Sequence, residues 1–191
     1  MKALEIIMMN RLFLFCILTF SIGLSSAFAQ KGDMFPYLEG TTLTDQELKL
    51  PEDTKGKFTL IGMAYSKKSE DDLKTWFNPV YNTFIHKSSS SLFGDVGYDV
   101  NVFFIPMFTG VKQAAANTAE KQMKKKTDPK LLPHILFYKG DLKTYKEALD
   151  FEKKDVPYFF VLDKDGKIVY ATSGSYSDKK MKEVEDLMEE W

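Results

Sequence analysis

The chain has 191 residues and a net charge of −1 at neutral pH, and 44% of its residues are hydrophobic. This content is enough to build the core of one domain. The chain has no excess of basic residues that would favour nucleic acid as a ligand, and Arg11 is its only arginine, so guanidinium clamps for phosphate are excluded from the rest of the chain.

The first residues have the pattern of a secretory signal peptide. A basic start precedes an apolar run from Leu12 to Leu24, and Ala27-Phe28-Ala29 is typical of a cleavage site. We therefore predict a signal peptide over residues 1–29 and one domain over residues 30–191, in a protein that is exported to the periplasm or secreted. No later apolar run has the length of a membrane span, so we predict no integral span after cleavage. A leader that is retained as an anchor is the alternative.

Cysteine and histidine usage limits the chemistry of the mature domain. The only cysteine, Cys16, lies in the leader, so the domain can form no disulfide and has no thiol of its own. The histidines, His86 and His134, are well separated and cannot provide a transition-metal site without several carboxylates. We predict neither a metal nor another cofactor.

The mature sequence alternates between strand-like and helix-like segments, which predicts an α/β domain with a mixed sheet. In chain order these segments are a hairpin within 42–50, a buried strand at 58–63, a helix at 73–84 kinked by Pro79, a strand at 100–107, a helix at 111–126, a strand at 135–138, a short helix at 142–151, a strand at 156–162, a tight Asp-Lys-Asp-Gly turn at 163–166, a strand at 167–170 and a terminal helix.

The segment between the first buried strand and the following helix reads AYSKKSEDD. Ser66-Lys67-Lys68-Ser69 has the spacing of a Cys-x-x-Cys motif, but a serine hydroxyl has no accessible anion near neutral pH and cannot form a disulfide. The pattern from Ser69 to Asp72 is close to a helix capping box, and Ser66 is a second capping candidate if the helix begins earlier. A nucleophilic Ser66 would need a neighbouring base, and the sequence places no histidine close to it.

Three stretches together resemble the thioredoxin-like superfamily, in the style of its exported peroxiredoxin-related and cytochrome-maturation branches. They are GKFTLIGMAYSKKS, with serines in place of both cysteines, the helix that carries Pro79, and VPYFFVLDKDGKIVY. The resemblance implies a three-layer α/β/α sandwich with a mixed central sheet and an N-terminal β-hairpin extension. It also implies that Pro157 is a cis-proline facing residues 65–69.

A looser resemblance links the chain to the thioredoxin-like domain of the mitochondrial ATP-synthase assembly factor family. It is based on the Gly-Lys-x-Thr-Leu strand, on the turn from Trp76 to Pro79, and on the late Asp-x-Asp-Gly-x-Ile stretch. This resemblance implies that a protein with this fold can act in the assembly of other proteins.

The preferred functional hypothesis is a redox-inactive, non-catalytic module that binds a polypeptide or assists assembly in a chaperone-like way. The partner would be a protein or peptide, held by strand-like pairing in the groove of the fold. Two alternatives stay open: an enzyme of non-thiol type in the same cleft, and an envelope protein with a vestigial site and a binding surface elsewhere. The candidate groove residues are Tyr65, Ser66, Lys67, Lys68, Ser69, Val156, Pro157 and Tyr158.

Overall fold

The structure of the protein is a computed structural model that describes residues 31–86 and 98–189, so the predicted leader lies outside the described residues. The strands are β1 (Leu38–Thr42), β2 (Glu47–Leu50), β3 (Phe58–Ala64), β4 (Val100–Thr109), β5 (Leu136–Gly140), β6 (Tyr158–Leu162) and β7 (Ile168–Ser173). The α-helices are α1 (Lys67–Lys74), α2 (Phe77–Val80), α3 (Ala116–Lys126), α4 (Lys143–Ala148) and α5 (Asp178–Glu189). Short 3₁₀ segments span Glu52–Thr54, Gly110–Ala115 and Pro129–His134, and a π-helical turn spans Tyr81–Ile85.

The described strands form one mixed sheet in the order β2-β1-β5-β4-β3-β6-β7. The central pairs β3–β4 and β4–β5 are parallel, whereas β6 and β7 run antiparallel to their neighbours. The predicted N-terminal hairpin is β1–β2, which joins the sheet through antiparallel pairing of β1 with β5. The mixed sheet and the hairpin extension are therefore confirmed.

The two faces of the sheet are covered differently. Helices α1, α2, α3 and α5 pack on the first face, where Trp76 and Phe159 stack with ring centroids 4.1 Å apart. The second face is covered by α4 and by loop residues such as Phe35 and Phe151. Successive residues of β3 alternate between the two faces, and all seven are buried, as expected for a central strand with layers on both sides. No described helix is long and apolar enough to cross a membrane.

The predicted helix from Leu73 to Phe84 is not continuous. Helix α1 ends at Lys74, a turn follows, and α2 begins at Phe77 and continues into the π-helical turn. Pro79 has no amide proton, so the Thr75 carbonyl four residues earlier loses its helical donor. Instead, the Thr75 hydroxyl donates to the Asp72 carbonyl (2.6 Å) and accepts from the Tyr176 amide (2.9 Å), which anchors the break.

The prediction that Pro157 follows a cis bond is wrong. Among the described residues the cis bond is Leu50–Pro51, and the Val156–Pro157 bond is trans. Because cis and trans forms before proline differ by only about 0.5–1 kcal/mol, packing decides the isomer. Here Pro157 is buried, and its carbonyl accepts a hydrogen bond from the Gly174 amide (2.8 Å) beside β7.

The predicted turn at 163–166 is confirmed. Gly166 has φ of +89°, a value that favours glycine, and the Asp163 carboxylate accepts from the amides of Asp165 and Lys167, both at 2.9 Å. The turn joins β6 to β7 and so positions the strand that carries Tyr158 next to β3.

Candidate functional site

Ser66 and Ser69, here called the serine pair, form a reciprocal cap at the start of α1. The Ser69 amide donates to Ser66 Oγ (3.0 Å), and the Ser66 amide donates to Ser69 Oγ (2.9 Å). The two hydroxyls are also hydrogen-bonded to each other at 3.1 Å, and the Ser69 hydroxyl is within 3.0 Å of the Ser66 carbonyl. This is a capping box with Ser66 as N-cap and Ser69 at the third helical position. The capping candidate Ser66 is therefore confirmed, whereas the box predicted from Ser69 to Asp72 begins three residues too late.

The serine pair is closed to solvent and fully occupied with structural bonds. Ser66 is 4% exposed and Ser69 is 0% exposed. A serine nucleophile needs a base as the partner of its hydroxyl, whereas these two hydroxyls bond to each other and to backbone groups. Of the two histidines, His134 lies with Nδ1 3.1 Å from the Val102 carbonyl, and burial lowers the pKa of its imidazole. The pair therefore stabilises the helix start.

Tyr65 and Tyr158 hold a loop over the place where the predicted groove would open. The rings of Tyr65 and Phe151 stack 5.5 Å apart, and those of Phe151 and Tyr158 stack 4.5 Å apart. The Tyr65 hydroxyl donates to the Lys153 carbonyl (3.1 Å), and the Tyr158 hydroxyl accepts from the Lys153 amide (2.7 Å). Burial raises the pKa of Tyr65 to about 12, so the phenol is a neutral donor at physiological pH. We call residues 151–155 the covering loop.

The sheet does bring the two predicted halves of the groove together. Met63 of β3 pairs with Tyr158 of β6, so the ends of these strands are neighbours. The accessibility of the predicted residues differs, however, and the covering loop lies against Tyr65 and Tyr158. Lys67 and Lys68 are exposed and Val156 is half-buried, whereas Tyr65, Ser66, Ser69, Pro157 and Tyr158 are buried.

An open cleft lies beside α1, and no sequence pattern predicted it. It is bounded by α1 and α2 on one wall and by α3 on the other, and has a volume of about 730 Å³. Its lining includes Lys67 and Glu70 of α1 and Lys112 of the 3₁₀ segment before α3. Lys112 Nζ donates to the Tyr65 carbonyl (3.0 Å), which ties this segment to the end of β3.

Charges in the cleft are unevenly balanced. Burial raises the pKa of Glu70, although Lys112 and Lys67 partly oppose this shift. Asp71 accepts hydrogen bonds from Lys74 and Lys67, which lower the pKa of its carboxyl group to about 2. The described residues contain no group of three or more potential metal ligands, so the cleft has no recognisable metal-binding set.

Fold and site together define a thioredoxin-like protein without the thiols of the redox motif. The C-terminal domain of a proposed thiol-disulfide oxidoreductase from Bacteroides thetaiotaomicron is similar, with a TM-score of 0.53 and 16% identity over 85% of this chain and 99% of that domain. A proposed thiol:disulfide interchange protein, DsbE, from Chlorobium tepidum has a TM-score of 0.51 and 12% identity over 83% of this chain and 95% of its own. At these identities the likeness shows the thioredoxin-like fold.

Residues 23–189 match the model of the ATP10 protein family, and the chain belongs to that family. It is a family of assembly factors for ATP synthase and not of known enzymes. The looser of the two resemblances in the sequence is thus the family of the chain, whereas the redox-related resemblance reflects the shared fold. No curated protein matches the chain significantly in sequence.

Proposed function

We propose that this chain is a non-catalytic assembly factor that binds a protein subunit during assembly of ATP synthase. The observation that carries the proposal is the serine pair: the position of the redox motif holds two buried hydroxyls that are committed to capping α1. Membership in the ATP10 family supports the assembly role. Binding without chemistry is the activity that these two findings have in common.

The proposal is tested by deleting the gene in the source organism and measuring the amount of assembled ATP synthase on native gels. We expect assembled enzyme to fall and to be restored by the wild-type chain. The chain with Ser66→Ala and Ser69→Ala should restore it too, provided the variant accumulates to the wild-type level, because the hydroxyls do no chemistry. Unchanged ATP synthase in the deletion strain would refute the assembly role.

A catalytic contribution is tested separately with thiol-disulfide reductase and peroxidase assays on the purified chain. We expect no turnover, because the domain after residue 30 contains no cysteine. Turnover that disappears in the Ser66→Ala variant would contradict the non-catalytic role and would favour an enzyme that uses this site.

We also propose that the protein is exported, on the basis of the apolar run and cleavage pattern in residues 1–29. The segment of the partner protein that it binds would then face the compartment to which this protein is exported. N-terminal sequencing of the protein recovered from cell fractions tests this: a chain beginning near Gln30 outside the cytoplasm is expected. An uncleaved cytoplasmic chain would contradict export and leave the assembly role to be judged by the deletion strain.

A further inference from the structure

We propose that the cleft between α1–α2 and α3 binds an acidic amphipathic helix of a partner protein. This inference rests on the proposed function and assigns it a surface. The cleft has a volume of about 730 Å³. The cleft is separate from the predicted groove under the covering loop, and shares only Lys67 with it.

The floor of the cleft is apolar and anchored in the core. Phe77 packs on Phe104 with ring centroids 4.4 Å apart, and Phe108 stacks on Phe137 at 4.5 Å. Phe77 is nevertheless only partly buried, as is Met123 on the opposite wall. Phe77 is held in place by Phe104 but keeps part of its ring exposed, and Met123 opposite it has a flexible side chain. Together they can pack against the apolar side chains of a docking helix.

The rim of the cleft carries more positive than negative side chains. Lys67, Lys74 and Lys112 lie on it with Lys126 at the end of α3, whereas its acidic lining residues are Glu70 and Asp128. Asp71, just outside the lining, pairs with both Lys67 and Lys74, but these pairs are exposed and are worth little, so a partner carboxylate can replace them.

Lys126 stands out among these cations. It is exposed and has no ion-pair partner among residues 31–86 and 98–189, in contrast to Lys124, which pairs with Asp45 at 2.7 Å. Lys126 is the last residue of α3 and lines the cleft, so its positive charge faces an occupant there. An acidic flank on the partner is the complementary chemistry.

A helix fits this cleft better than an extended peptide. β4, which contributes Phe108 to the lining, lies inside the sheet between β3 and β5. It is not an edge strand, so strand addition is disfavoured here, and an occupant must satisfy its own backbone hydrogen bonds. An α-helix does so and can present one apolar face to Phe77 and Met123 while its acidic flanks reach the lysines.

The test uses the full chain and a designed acidic helical peptide of about four turns, with leucines at i, i+3, i+4 and i+7 and glutamates on the flanks. A second peptide has lysine in place of every glutamate. Binding is followed by fluorescence anisotropy, and the binding surface by amide chemical shifts. We expect the acidic peptide to bind at least about 10-fold more tightly than the basic one and to shift the amides of Gln122, Met123 and Phe77.

Matched variants separate the cleft from the general surface. Met123→Asp should weaken binding by about 10-fold or more, and Lys126→Glu by about 2- to 5-fold. The controls are Met34→Asp, at a methionine that is 50% exposed outside the cleft, and Lys143→Glu on α4, which covers the other face of the sheet. Both controls should bind like the wild type, and circular dichroism verifies that each variant is folded.

Several outcomes would overturn the inference. These are equal binding of the two peptides, no binding of either, shifts centred outside the cleft, or binding to phosphatidylglycerol vesicles that requires Met123 and Lys126 while the peptide does not bind. The deletion strain separates this inference from the proposed function. If a Met123→Asp chain that cannot bind the peptide still restores ATP synthase, the cleft assignment fails and the assembly role stands. If the cleft binds the peptide but deletion leaves ATP synthase unchanged, the assembly role fails.

Discussion

Removing either hydroxyl of the serine pair should destabilise the domain, and removing both should cost less than the sum of the single effects. Each hydroxyl accepts the backbone amide of the other serine, and the two hydroxyls also bond to each other. Ser66→Ala leaves the Ser69 amide without an acceptor, and Ser69→Ala does the same to the Ser66 amide. Both amides belong to residues that are at least 96% buried, so water cannot easily replace the lost bonds.

The magnitudes follow from these bonds. Loss of the N-cap in Ser66→Ala should lower the free energy of unfolding by about 1–2 kcal/mol. Stranding a buried amide in Ser69→Ala should cost about 1–3 kcal/mol. The bond between the hydroxyls is lost in each single variant but only once in the double variant. The double variant should therefore be less destabilised than the sum by about 1 kcal/mol, the net contribution of one such bond.

Urea unfolding followed by tryptophan fluorescence measures these differences, because Trp76 is buried and donates from Nε1 to the Gly174 carbonyl at 3.1 Å. The midpoint should fall while the slope stays constant. Ser175→Ala is the control, since Ser175 is exposed, and it should change the free energy by less than about 0.5 kcal/mol. Single effects as small as the control, or effects that add without any coupling, would refute the reciprocal cap.

Three further predictions concern the same region. Replacing both serines of the pair with cysteine should produce a disulfide, because the hydroxyl oxygens already lie 3.1 Å apart; free thiols that persist after oxidation, by thiol titration, would contradict this. Gly62→Ala should cost about 1–3 kcal/mol in urea unfolding because its methyl group would lie 2.5 Å from the Phe159 ring, whereas Gly140→Ala meets only the end of a tyrosine side chain and should cost less. Tyr65→Phe removes the hydrogen bond to Lys153 and should speed tryptic cleavage in the covering loop. The pKa of Tyr65 is raised from 10.0 to about 12, so its phenol contributes stability below pH 10 that is lost as pH rises through about 12. The Tyr65→Phe variant should not show this decrease in the free energy of unfolding at alkaline pH.

Much of the fold could be predicted from local patterns. The apolar run at 58–63 predicts a buried strand because its length and composition are properties of adjacent residues. The Asp-x-Asp-Gly sequence predicts a turn because its glycine can adopt a positive φ. The apolar face after the serine pair predicted a helix over 73–84 with a kink at Pro79, but neither the polar first turn of α1 nor the break before Phe77. Apolar periodicity does not report capping bonds, so it missed the first turn of α1, which is polar and includes Lys67 and Lys68.

The candidate site was less predictable than the fold. The spacing from Ser66 to Ser69 gave the right position in the fold, and strand pairing brings Tyr158 to the same end of the sheet. The covering loop was not predicted, because its contacts with Tyr65 are long-range. The Tyr65 hydroxyl bonds to the carbonyls of Phe151 and Lys153, which lie 86 and 88 positions later in the chain. That the buried residues of the predicted groove contact a partner stays a prediction.

The sequence by itself determined that the domain has no thiol, because that depends only on which residues are present. It also determined the order of strands and helices, since each depends on neighbouring residues. Only the tertiary structure decided which surface is open. The trans bond at Pro157, the burial of Tyr65 and the cleft between α1–α2 and α3 all depend on residues that are distant in the chain and meet only when the sheet has formed.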